Sequence, residues 1–151
     1  MKIVATVKLA FIILIFLLAG QVSFAVCVSK NRSKLRTGPS ASYTPLMAAK
    51  LFTALEKVSK KGNWLEVKDV DGDMYWIYQT NLSTEFQCAT FNLSTGRTFI
   101  MPQESAETHH QIKSLHPYDG FKVLETKGKW VKVEDGLGHE FWVKKRGLWI
   151  R

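Results

Sequence analysis

Apolar and polar residues alternate through residues 64–70, "WLEVKDV", and again through residues 130–135, "WVKVED". Period two marks a half-buried β-strand. Asp71-Gly72 follows the first stretch as a hairpin signal, and "MYWI" reads as the returning strand. After the second stretch, a turn over residues 136–138 leads into "EFWV". A further strand precedes each Trp, "ALEKVS" in the first case and "FKVLET" in the second, each joined to it by a Gly-containing turn. The pattern therefore predicts two three-stranded meanders. Shorter strands are expected beside them, near residues 34–36, 46–49, 97–101 and 111–115. No stretch beyond residue 26 carries a long helical period. "LMAAKLFTALEKV" has helical propensity, but its partner "HPYDGFKVL" contains a Pro and a Gly that no helix interior favours.

The two meanders align without a gap at an offset of 66 residues: Trp64 with Trp130, Val67 with Val133, Asp69 with Asp135, Gly72 with Gly138, Tyr75 with Phe141 and Trp76 with Trp142. Such self-similarity indicates a repeated unit. Five or so short strands in about 60 residues describe a small barrel. The fold class expected is all-β, two tandem small SH3-like β-barrels, with residues 26–84 forming the first and 85–151 a divergent second.

The first 25 residues stand outside this pattern. Lys2 and Lys8 precede and enter the unbroken apolar run of residues 9–19, and Ser23-Phe24-Ala25 places small residues where a signal peptidase cuts. The alternative, an uncleaved anchor, would have to span ~30 Å of hydrocarbon with a short run. Residues 1–25 are therefore read as a signal peptide cleaved after Ala25, with a secreted or periplasmic product and no stable membrane insertion.

The chain has 21 Lys and Arg against 13 Asp and Glu. Removing Lys2 and Lys8 leaves 19 basic residues and a net charge of +6 for residues 26–151. A basic surface suits polyanionic surroundings. Export and the absence of a basic cluster argue against a nucleic-acid partner. Cys27 and Cys88 both lie in the exported part, each placed just ahead of a barrel's first strand. An even count in an oxidising compartment reads as one disulfide, with two buried thiols as the alternative. The long loop it closes would give roughly 3–4 kcal/mol.

"LRTGPSASY" at residues 35–43, an apolar strand, Lys-Gly-x-Trp-x-x-Val, Asp-Gly and aromatic-Trp-Ile follow one another in the first half. In that order they resemble the bacterial SH3 (SH3b) domain. The pairing of two such units resembles exported bacterial proteins that carry two and end near a Leu-Trp dipeptide, as "RGLWIR" does. The second half has lost the Leu-Arg-Thr-Gly-Pro element and keeps only Pro102 of it. The family usually has Gly before the last Trp; Tyr75 and Phe141 stand there, where a bulky side chain is expected to alter the surface beside each Trp.

The resemblance implies a non-catalytic module that binds peptidoglycan peptides or positions partner enzymes at the wall. A cell-wall peptide or an envelope protein is then the partner. The residues read as ligand-binding are Arg36, Tyr43, Trp64, Tyr75 and Trp76. An exposed Trp edge beside Tyr43 would make a shallow aromatic groove for an extended peptide, and Arg36 would take a carboxylate there. Core packing is the simpler reading of Trp64, Trp76, Trp130 and Trp142. No enzyme is expected. There is no Gly-x-Ser-x-Gly element, and the cysteines suit a disulfide better than a Cys-His pair. His109, His110 and His116, with Glu104, Glu107 and Asp119, are too loosely spaced for zinc, so no metal or cofactor is expected. The Asn-x-Ser sequons at Asn31, Asn81 and Asn92 carry no meaning in a bacterium. The alternative function is a secreted inhibitor or structural interaction protein with no wall ligand.

Overall fold

The computed structural model describes residues 24–92, 100–101 and 115–151. The expected signal peptide and the segment with His109 and His110 therefore lie outside the described residues. Seven strands make the first sheet: β1 (Phe24–Val28), β2 (Ser33–Arg36), β3 (Pro45–Ala49), β4 (Ala54–Lys61), β5 (Trp64–Lys68), β6 (Met74–Tyr78) and β7 (Leu82–Ser83). Six make the second: β8 (Cys88–Phe91), β9 (Ile100–Met101), β10 (Gly120–Lys127), β11 (Trp130–Glu134), β12 (Glu140–Lys144) and β13 (Leu148–Ile150). The spatial orders are β3-β2-β6-β5-β4-β1-β7 and β13-β8-β10-β11-β12-β9. The chain is all-β, in two SH3-like sheets. "LMAAKLFTALEKV" forms β3, a turn and the start of β4, not a helix.

The meanders β4-β5-β6 and β10-β11-β12 are antiparallel throughout. Alternation places Leu65 and Val67 of β5, and Val131 and Val133 of β11, on the inward face. With Val26, Val28, Leu35, Leu55 and Ile77 the first pair builds one core; with Phe91, Phe121 and Val143 the second builds another. The long strands β4 and β10 each carry a bulge, between Lys57 and Ser59 and between Val123 and Glu125. The extra residues, Val58 and Leu124, are exposed. A bulge increases local twist, which lets one strand serve both the meander and the pairing with β1 or β8.

The same backbone bonds recur in both halves. Val28 N–H donates to Thr53 O, and Phe52 N–H to Val28 O; Phe91 N–H donates to Asp119 O, and Tyr118 N–H to Phe91 O. Phe52 and Tyr118, 66 residues apart, both take a positive φ, 65° and 61°. Non-Gly residues rarely adopt that conformation.

Cys27 and Cys88 are joined by a disulfide. They sit inside strands β1 and β8, however, rather than ahead of each sheet's first strand. "FAVCV" is apolar and continues the hydrophobic leader, so its strand character was hidden. Around the disulfide, Ala54, Phe86 and Trp149 form a third apolar cluster between the halves.

Candidate functional site

Polar and aromatic side chains line the outer face of the first sheet. Leu35, Leu65, Val67 and Ile77 point inward, so Arg36, Trp64, Glu66 and Trp76 share the other face by alternation. The ladder sets them in rows. Arg36 pairs with Trp76, Trp76 with Glu66, and Glu66 with Ser59. Ser59 Oγ donates to Glu66 Oε2 at 2.6 Å. In the next row Trp64 pairs with Tyr78, and their rings meet edge to face at 5.3 Å. Trp64 and Trp76 are half-buried on this solvent side, so neither is a core residue.

The Gly-Pro loop ends beside this face. Thr37 N–H donates to Thr44 O and closes the loop. Arg36 Nη1 donates to Tyr43 O at 2.6 Å. The exposed Tyr43 ring lies flush against Gly38, where any Cβ would overlap it. The Leu-Arg-Thr-Gly-Pro element is thus a fitted unit: Arg36 fixes the far end of the loop, and Gly38 leaves room for the ring. Among the described residues no ring contact joins Tyr43 to Trp64 or Trp76. Arg36 connects them instead, through the ladder on one side and the Tyr43 carbonyl on the other.

Tyr75 does not belong to this face. It follows the inward alternation of β6 and packs on the first core, as Phe141 packs on the second, edge to face with Phe121. The bulky residue before each last Trp therefore changes the interior, not the surface beside the Trp. The Tyr75 hydroxyl bonds the Asp69 side chain, and burial, then the charges of Asp69 and Asp73, push its pKa up.

Asp69 and Asp135, matched in the repeat without an assigned role, hold the hairpin turns. Asp69 Oδ1 accepts the Asp71 and Asp73 N–H groups at 3.0 and 2.9 Å. Asp135 Oδ1 accepts those of Leu137 and His139 at 2.8 and 3.0 Å. Gly72 and Gly138 take φ 92° and 83°, as such turns require. Both carboxylates are buried. Burial raises the Asp69 pKa, opposed by the N–H groups it accepts and assisted by the Asp73 and Asp71 charges.

Where the halves meet, Gly120 abuts the backbone of Leu51, Phe52 and Thr53. Ala54 N–H donates to Thr90 Oγ1 at 2.8 Å, and Lys50 pairs with Asp119 at 2.6 Å. Tyr118 donates its hydroxyl to Asp71, which pushes the Tyr118 pKa up to about 12. Beneath this contact is a cavity of about 160 Å³, walled by Leu35, Leu55 and Val70 from the first half and Pro117 and Tyr118 from the second. Asp69 lies at its edge.

His116 is exposed and bonds Asp119 through its backbone N–H at 2.8 Å. No group of three or more metal-ligating side chains occurs among the described residues, and among them no helix is long and apolar enough to cross a membrane.

Residues 29–84 match the family model described as the bacterial SH3 domain. Over 127 residues the chain is 25% identical to a protein named "Probable cell wall amidase LytH", found in two strains of Staphylococcus epidermidis. The match takes in 72% of this chain and 43% of the relative, so the chain spans less than half the length of the curated relatives it matches. The matched family residues contain the fitted Gly-Pro loop, the Trp64 and Trp76 rows and the Asp69 turn. Residues 29–84 of this chain are a bacterial SH3 domain.

Proposed function

We propose that the chain is an exported, non-catalytic binding module that holds cell-wall peptides, or an envelope protein, on the outer face of its first sheet. The Arg36–Trp76–Glu66 row carries this reading. It places half-buried indole surface, a guanidinium and a carboxylate on one solvent-facing strip, the combination an extended peptide needs for apolar contact and end-group pairing. Arg36 already gives one N–H to Tyr43 O; the guanidinium's further donors serve a ligand carboxylate. The similarity to a probable cell wall amidase supports a wall setting.

Export is supported by the disulfide, which belongs to an oxidising compartment. The onset of burial supports cleavage after Ala25: Phe24 is 59% exposed, and Val26 is 4% exposed. The second sheet is read as a divergent bacterial SH3 unit that braces the first. A non-enzymatic role is supported by Cys27 and Cys88 being bonded to each other, which leaves neither as a thiolate nucleophile.

Retention on purified peptidoglycan tests the reading. Binding should fall on Trp76→Ala and on Tyr43→Ala while circular dichroism is unchanged. Equal retention of both variants and the parent would remove it. Loss of retention with salt in all three alike would indicate charge without a specific face. No turnover of muropeptides is expected, with Cys88→Ser as the control.

A further inference from the structure

The cavity between the halves combines apolar walls with an acidic edge. Leu35, Leu55, Val70 and Pro117 supply the walls, and the Asp69 carboxylate lies at the margin. Asp71 adjoins it, held by the Tyr118 hydroxyl, and Asp73 completes the turn. Among the described residues no Lys, Arg or His is ion-paired with Asp69, Asp71 or Asp73. Lys50 and His116, the cations nearest in the fold, both engage Asp119. Three carboxylates without a cation stand out on a chain with a net charge of +8. The volume, about 160 Å³, is of the order that admits a benzene-sized group. An occupant that suits all of this has a slender apolar stem and a cationic tip.

We propose that this cavity is a binding site for a lysine side chain presented by a short peptide, with its alkyl stem between Leu55, Val70 and Pro117 and its ammonium at Asp69 and Asp71. Long cationic side chains bury their stems and keep the charged head at a polar edge in this way. Neither half makes the site alone, because Pro117 and Tyr118 close what the first sheet leaves open. The inference stands apart from wall binding on the outer face: Leu35 and Leu55 point away from the face that carries Trp76.

The test is a titration of the full exported chain with acetyl-alanyl-lysyl-alanine amide, followed by the amide NMR signals of Val70, Thr90 and Tyr118. Those signals should shift and saturate. The Nε-acetylated peptide and its norleucine counterpart should bind about tenfold more weakly. Asp71→Asn, on an exposed turn, should weaken the lysine peptide to a similar degree, and Ala48→Trp, from the exposed side of the rim, should block it. Trp76→Ala should leave the titration unchanged. Equal binding of the three peptides, no shift at these residues, or full binding to both Asp71→Asn and Ala48→Trp would overturn the proposal.

Discussion

Gly38 and Gly120 both lack room for a methyl group, but what they touch differs. At Gly38 the obstacle is the Tyr43 ring, an exposed side chain that can swing aside. At Gly120 it is the backbone of Leu51, Phe52 and Thr53, which cannot move without parting the halves. Urea unfolding should separate them. Gly38→Ala should lose about 1 kcal/mol and Gly120→Ala about 3 kcal/mol, since overpacking against fixed atoms is the more damaging. The sequence announced Gly38 as part of a Gly-Pro turn; its service as a platform for Tyr43 depends on a residue five positions on. Gly120 carried no signal, because its reason lies 66 or more residues away in the chain.

The β5–β6 hairpin shows how far alternation can be trusted. Period two placed its strands and its turn correctly. It also fixes the facing of Tyr75, which must lie opposite Trp76, so the grouping of both in one surface site could not stand. The matched Asp69 and Asp135 were visible as a repeat, but a carboxylate that caps a turn looks the same in sequence as one that faces water. Because burial raises the Asp69 pKa, its protonated form favours folding. That contribution is complete below the unfolded pKa and is lost as pH rises through the higher folded value. Asp69→Asn keeps the acceptor for both N–H groups and removes the charge. The variant should match the parent in acid and exceed it in stability at neutral pH, as read from unfolding midpoints across the two ranges. A constant difference at every pH would contradict this.

Strand β1 escaped notice because "FAVCV" reads as the tail of an apolar leader, and through it the junction of the two sheets escaped as well. The all-β class and the meanders rest on local pattern. The junction rests on Thr90, Gly120, Tyr118 and Lys50 meeting partners 36 to 69 residues distant, and no window of sequence contains both ends. Two measurements address it. Cys27→Ser with Cys88→Ser should cost about 4 kcal/mol for a loop of this length while the far-ultraviolet spectrum persists, since two cores remain. Tyr118, with its pKa pushed up to about 12, should ionise after the other tyrosines in an ultraviolet titration. Its bond to Asp71 stabilises the fold fully below the ordinary tyrosine value, and that contribution is lost as pH rises through the folded one. Tyr118→Phe should remove the late step and leave the earlier ones.

The Cys27–Cys88 bond also decides how the molecule would bear tension. A pull on the two ends of the chain passes from residue 27 directly to residue 88, so the first sheet, with its Trp76 row, carries no load while the bond is intact. The bridge spans 61 positions, which at about 3.5 Å per residue withholds roughly 210 Å of extension. Under strain the second sheet would yield first. The family-matched domain would stay folded, and able to hold its ligand, until the bond was reduced.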